Sequence, residues 1–119
     1  MAAPKIFESE FRFMQVLWEK EPINSTELVK ECKERLGWSK ATTYTVIRRL
    51  SERGAVVNEN AMVHSLVTME EVQEAEIDEL VDRTFGGSVP QFLAAFSRKK
   101  NLSEEEIGLI QKMINDYKG

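Results

Sequence analysis

Between Trp38 and Gly54 the chain reads WSKATTYTVIRRLSERG, where hydroxyls and guanidinium groups recur at helical spacing. Wound at about 100° per residue, Thr43, Val46, Ile47 and Leu50 form one apolar stripe, the pattern of a helix resting on a core. The opposite side holds Ala41, Thr45, Arg48, Arg49 and Glu52, with Thr42 and Tyr44 on its flanks. Short polar side chains near the start and cations behind them suit an approach to something polar and negatively charged. Guanidinium forks fit both phosphate oxygens and guanine edges. The chemistry on offer is nucleic-acid contact, with Lys40, Thr42, Tyr44, Thr45, Arg48, Arg49 and Arg53 as the candidate DNA-binding residues. Each has a plainer role open to it. Arg48 and Arg49 can pair with Glu52, Thr42 can serve the capping turn, and Tyr44 can pack on the turn instead of reaching a phosphate.

Other chemistry is not legible. No nucleophile–base pair, glycine-rich phosphate loop or metal cluster can be read, so neither an enzyme nor a cofactor is expected. His64 is the one histidine and has no ligand at metal spacing, which makes it a strand-face residue. Cys32 cannot form an internal disulfide and falls on the apolar side of its helix, where inert packing is the expected role. No apolar run approaches the roughly 18 residues of a membrane span, and MAAPKIFESEF lacks the apolar segment of a signal peptide. A cytoplasmic protein with no membrane partner is expected.

The net charge of −4 looks unsuited to nucleic acid until its distribution is read. Residues 1–67 hold ten basic and nine acidic side chains, and residues 68–119 hold six and eleven. From Arg35 to Asn58 the cations Arg35, Lys40, Arg48, Arg49 and Arg53 face Glu52 alone, net +4. The positive charge is a patch centred on the one helix.

The elements around that helix can be read from caps and periods. A first helix over about 9–20 turns Phe11, Met14, Leu17 and Trp18 inward and ends before Pro22. Asn24 with Glu27 opens a second helix in a capping-box pattern, Leu28, Cys32 and Leu36 line its inner side, and Gly37 closes it. Only Gly37-Trp38 precedes the third helix, which starts at the N-cap Ser39 and stops at Gly54. Two helices joined this tightly are a helix-turn-helix, whose second helix is the one offered to DNA. Trp18 and Trp38 read as anchors of the core and turn rather than stacking platforms. Beyond Gly54, AVVN and MVHSLVT around Asn58-Glu59-Asn60-Ala61 predict a hairpin, hence a winged helix-turn-helix over 1–67.

Residues 68–119 return to helices, at about 69–85, 89–98 and 104–117, each opened by a capping-box pair: Thr68 with Glu71, Ser88 with Gln91, Ser103 with Glu106. So small a unit buries too little surface to stand alone. Its apolar residues either fold back on the first domain or meet a second chain. A two-fold dimer is favoured, with Leu80, Val81, Phe85, Phe92, Leu93, Phe96, Ile107, Ile110 and Ile114 as the dimerisation candidates. The predicted fold is thus mainly α: a winged helix-turn-helix, then a three-helix dimerisation region.

MQVLWEKEPINSTELVKE, WSKATTYTVIRRLSERG and the closing helices, with Phe85-Gly86-Gly87 before Val89-Pro90-Gln91-Phe92-Leu93, together resemble the penicillinase-repressor family of bacterial transcription regulators (BlaI/MecI/CopY). The matching spacing is Leu17-Trp18, Glu27, then Trp38-Ser39, Thr42, Thr45, Arg49-Leu50 and Gly54. The resemblance implies a homodimeric repressor on a palindromic double-stranded DNA operator. It also implies inactivation, either by a protease cutting the C-terminal domain or by copper on C-terminal cysteines. No cysteine follows Cys32, which removes the copper route. Ala95-Phe96 stands where cleaved members have Asn-Phe. Ala41 and Tyr44 replace residues often basic in relatives, and the wing NENAMVHS carries no lysine or arginine. The acidic total and uncharged wing leave an alternative, a winged-helix protein-interaction module without DNA binding.

Overall fold

The computed structural model describes residues 3–99 and 101–117. The chain is mostly helical, with α1 at Glu8–Lys20, β1 at Ile23–Asn24, α2 at Ser25–Leu36, α3 at Lys40–Glu52, β2 at Val56–Glu59 and β3 at Met62–Ser65. Three further helices follow: α4 at Met69–Phe85, α5 at Val89–Lys99 and α6 at Glu104–Tyr117.

Local chemistry accounts for the boundaries. Glu10 reaches back to accept from the Phe7 backbone N–H at 2.9 Å, satisfying a donor that the first turn of α1 leaves unpaired. Asn24 accepts from the Thr26 N–H at 2.8 Å to open α2. Gly37 closes that helix in the left-handed region at φ 71°, its N–H on the Cys32 and Lys33 carbonyls. Reciprocal bonds between Thr68 and Glu71 and between Ser103 and Glu106 open α4 and α6. At α5 only one leg is made, the Gln91 N–H donating to Ser88 Oγ at 3.2 Å.

The sheet is antiparallel in the order β1-β3-β2. The hairpin forms as expected; β1 is an addition, pairing Ile23 with Val63 and Asn24 with Met62. Two residues are too few to show a strand period, and the pairing partner lies far along the chain. Glu59 pairs with Met62 across a two-residue turn in which Asn60 (φ 52°) and Ala61 (φ 64°) are both left-handed. Such a turn matches the twist of the flanking strands.

The core of the first unit joins Phe13, Met14 and Leu17 of α1, Leu28 and Cys32 of α2, Val46, Ile47 and Leu50 of α3, and Val56 and Val63 of the sheet. Trp38 stacks on Phe13 with centroids 6.1 Å apart. Trp18 donates its indole N–H to the Val67 carbonyl at 2.9 Å. Both tryptophans are anchors. Val72 of α4 is buried in the same core. The chain forms two compact units, Met1–Ile77 and Asp78–Gly119.

Candidate nucleic-acid interface

The recognition helix is tied down from its first residue. Ser39 Oγ accepts from the Thr42 N–H at 3.1 Å and donates to Thr42 Oγ1 at 3.0 Å. The Thr43 hydroxyl donates to the Ser39 carbonyl at 3.1 Å, so its polar atom is satisfied although the residue is fully buried. Thr43, Val46, Ile47 and Leu50 form the buried stripe. Lys40, Ala41, Thr42, Arg48, Arg49 and Glu52 are exposed on the remainder, and Thr45 is half-buried among them.

These exposed residues differ in how free their charges are. Arg48 lies 3.6 Å from Glu52, but both side chains are 64% exposed. An ion pair so open to water contributes little and exchanges readily for another anion. Lys40 and Arg49 make no ion pair among the described residues. Thr42 is both exposed and part of the capping turn, so its two roles are compatible.

Two of the candidates make contacts within the protein's own fold. The Arg53 guanidinium pairs with the buried carboxylate of Glu10, donates to the Lys5 carbonyl at 2.8 Å, and lies 5.3 Å from the centroid of the Phe7 ring. Its charge is committed to holding the N-terminal arm. Tyr44 packs against the core and donates its hydroxyl to Ser25 Oγ at 3.2 Å, so that hydroxyl is directed at α2 rather than outward. Arg35, counted in the basic patch, pairs with Glu19 at 2.9 Å and Glu31 at 3.9 Å. The patch therefore contracts to Lys40, Arg48 and Arg49. At the hairpin tip Asn58, Glu59, Asn60 and Ala61 are exposed and carry one negative charge.

Sequence reading did not find Glu10 or Ser25. Glu10 looks like an ordinary first-turn acid, and Ser25 like a neighbour of the cap. Their partners lie 43 and 19 residues away in Arg53 and Tyr44, beyond any local pattern. Cys32 behaves as expected: burial pushes its thiol up to about 11, which leaves it protonated and unreactive at neutral pH.

In the second unit, neither α5 nor α6 contains a buried residue among those described. Phe92 sits between Phe85 (centroids 5.7 Å, edge-on) and Phe96 (6.3 Å), an aromatic row within one protomer. Leu93, Phe96, Ile107 and Ile114 are exposed, while Leu80, Phe85, Phe92 and Ile110 are half-buried. An open groove of about 620 Å³ runs between α5 and α6, lined by Leu93, Phe96, Leu102, Ile107 and Ile110 among others. Val81, another dimerisation candidate, is only 6% exposed.

A helix-turn-helix with an exposed cationic recognition helix, followed by helices with an uncovered apolar face, is the arrangement against which relatives can be judged. The family profile described as Penicillinase repressor matches residues 6–116. The chain belongs to that family. The family is one of repressors and not of enzymes. The penicillinase repressor of Bacillus licheniformis is 27% identical over 120 residues, covering 97% of this chain and 93% of that protein. The methicillin resistance regulatory protein MecI of Staphylococcus aureus is 24% identical over 115 residues, covering 93% and 94%. Among solved structures, the DNA-binding domain of the repressor BlaI matches with a TM-score of 0.51 at 28% identity, over 60% of this chain and 93% of that one. The monomeric form of Bacillus licheniformis BlaI in complex with the blaP half-operator gives the same TM-score, 0.51, at 27% identity, over 58% and 89%. Among the described residues, no helix is long and apolar enough to cross a membrane.

Proposed function

We propose that this family member is a homodimeric transcriptional repressor that reads a palindromic double-stranded DNA operator with α3 of each protomer. The observation that carries the reading is the outward face of α3, where Lys40 and Arg49 have no ion-pair partner among the described residues and Arg48 has only an exposed one. A relative of the same fold bound to a half-operator favours DNA over a protein partner for that face. With Arg53 committed to Glu10 and Arg35 lying on α2 beside Glu19 and Glu31, about three cations per protomer remain on α3 to displace counterions. A dimer should then show a slope of roughly −5 in log affinity against log salt.

Arg49→Ala tests the face directly. Operator affinity should fall by about 1–3 kcal/mol in the folded protein. A phosphate contact would weaken all sequences alike and flatten the salt slope, whereas a base contact would relax preference at one position in each half-site. Unchanged binding would remove Arg49 from the interface.

The wing has a separate test. Glu59 is exposed at the tip with no cation in the hairpin to offset it. Replacing it with lysine is expected to strengthen binding to all sequences and to steepen the salt slope by roughly one counterion per half-site. A titration in which both stay fixed would place the tip away from the duplex. An inactivating protease, if it acts at the position matching other members, has to open α5 to reach Ala95-Phe96, because that bond lies inside the helix.

A further inference from the structure

The geometry points to Ser25 as a positioning residue that holds the wing turn and the recognition helix in one fixed relation. The inference rests on the DNA-binding reading above and names a residue that acts through others rather than by touching DNA.

Ser25 is the first residue of α2 and is only 5% exposed. Its backbone N–H donates to the Ala61 carbonyl at 2.7 Å. Ala61 is the second residue of the hairpin turn, so this bond extends the β1–β3 ladder one step past the Asn24–Met62 pair and ends at the wing tip. The side-chain Oγ of the same serine accepts from the Tyr44 hydroxyl at 3.2 Å. Tyr44 stands on the flank of the α3 face that carries Arg48 and Arg49. One residue therefore donates to the wing turn and accepts from the recognition helix, the two segments that approach the duplex.

Each bond answers a physical need. The N–H of a first-turn residue has no partner inside its own helix, and here the wing supplies one. The turn in exchange gains a fixed donor for its Ala61 carbonyl. It needs one, because Ala61 at φ 64° sits in a region that a residue with a Cβ adopts only when its surroundings hold it there. Tyr44 is packed against the core, so its hydroxyl is partly withdrawn from water and requires a partner. Serine meets that requirement from a position that is itself only 5% exposed.

Ser25→Ala and Tyr44→Phe remove the same hydrogen bond from opposite ends. Each is expected to lower operator affinity by about two- to tenfold, the range for loss of one partly buried hydrogen bond. The double variant should be no weaker than the weaker single variant, since the second change has nothing left to break. The salt slope should stay at its parent value because no counterion is involved. In the DNA-free protein, Ser25→Ala should shift the amide resonances of residues 59–62 as well as those around Tyr44. Additive losses in the double variant, or a Tyr44→Phe loss with Ser25→Ala neutral, would mean that Tyr44 touches DNA directly and would overturn the inference. A lowered melting temperature with unchanged affinity would reduce Ser25 to a structural role and also overturn it. Should the parent protein show no salt-dependent operator binding, the functional reading fails on its own. The wing resonances would then decide the Ser25 link: unmoved by Ser25→Ala, they refute it.

Discussion

Leu93→Asp is expected to convert the protein to monomers and to lower affinity for the full operator by about 10²–10⁴-fold, the advantage that a second linked binding site confers. Leu93 is 43% exposed on α5 and lines the apolar groove toward α6, so a carboxylate there sits in water in the monomer and meets apolar surface only on association. Burying an unpaired charge at an interface is costly. Phe92 would be the poorer probe. It lies within the Phe85–Phe92–Phe96 row, and an aspartate at that position would disturb the protomer itself. Ile114→Asp, on α6 at 47% exposure, should reproduce the effect from the other side of the same unit. Sedimentation gives the oligomeric state, and titration with a half-operator supplies the control, since a single site should bind monomer and parent protomer alike. A parent protein that sediments as a monomer at tens of micromolar, or variants that remain dimers, would refute the assignment of this face.

The second large effect concerns stability. Arg53→Ala should cost the N-terminal unit about 2–3 kcal/mol, because it leaves the Glu10 carboxylate buried without its cation. The figure is set below that for a fully buried pair, since the Arg53 side chain is 28% exposed and water can reach the site. The Lys5 carbonyl loses its donor and the Phe7 ring its cation in the same substitution. For a chain of this size the melting temperature should fall by roughly 8–20 °C. Arg53→Lys keeps the charge but not the fork, and should recover part of the loss. Operator affinity of the folded variant should change little. A variant that melts like the parent yet binds DNA more weakly would return Arg53 to the interface.

The contrast between Arg49 and Arg53 shows where sequence reading stops. Arg49 lies in the last turn of α3 and Arg53 is its C-cap residue, both are arginines, and winding the helix cannot separate an exposed cation from one drawn under the N-terminal arm. What separates them is Glu10, on another helix and 43 residues away from Arg53. The alternatives left open for Tyr44 divide in the same way, by the presence of Ser25. Val81, an apolar residue among others on α4, is buried in the protomer for reasons no heptad or stripe records.

Legible along the chain are the features encoded within a turn or two. The caps at Asn24, Ser39, Thr68 and Ser103, the stop at Gly37, and the apolar stripe of Thr43, Val46, Ile47 and Leu50 involve residues close in the chain. Their geometry depends on backbone dihedrals and side-chain reach alone. They placed the six helices to within a residue or so, and with them the helix-turn-helix and the family resemblance. Packing set the rest: that Ile23–Asn24 adds a third strand, that Val72 draws the start of α4 into the first core, and which cations of the basic patch stay free. Those outcomes depend on burial and on partners brought together only when the chain closes on itself. A carboxylate withdrawn from water binds whichever guanidinium the fold delivers to it, and spacing along the chain carries no record of which one that is.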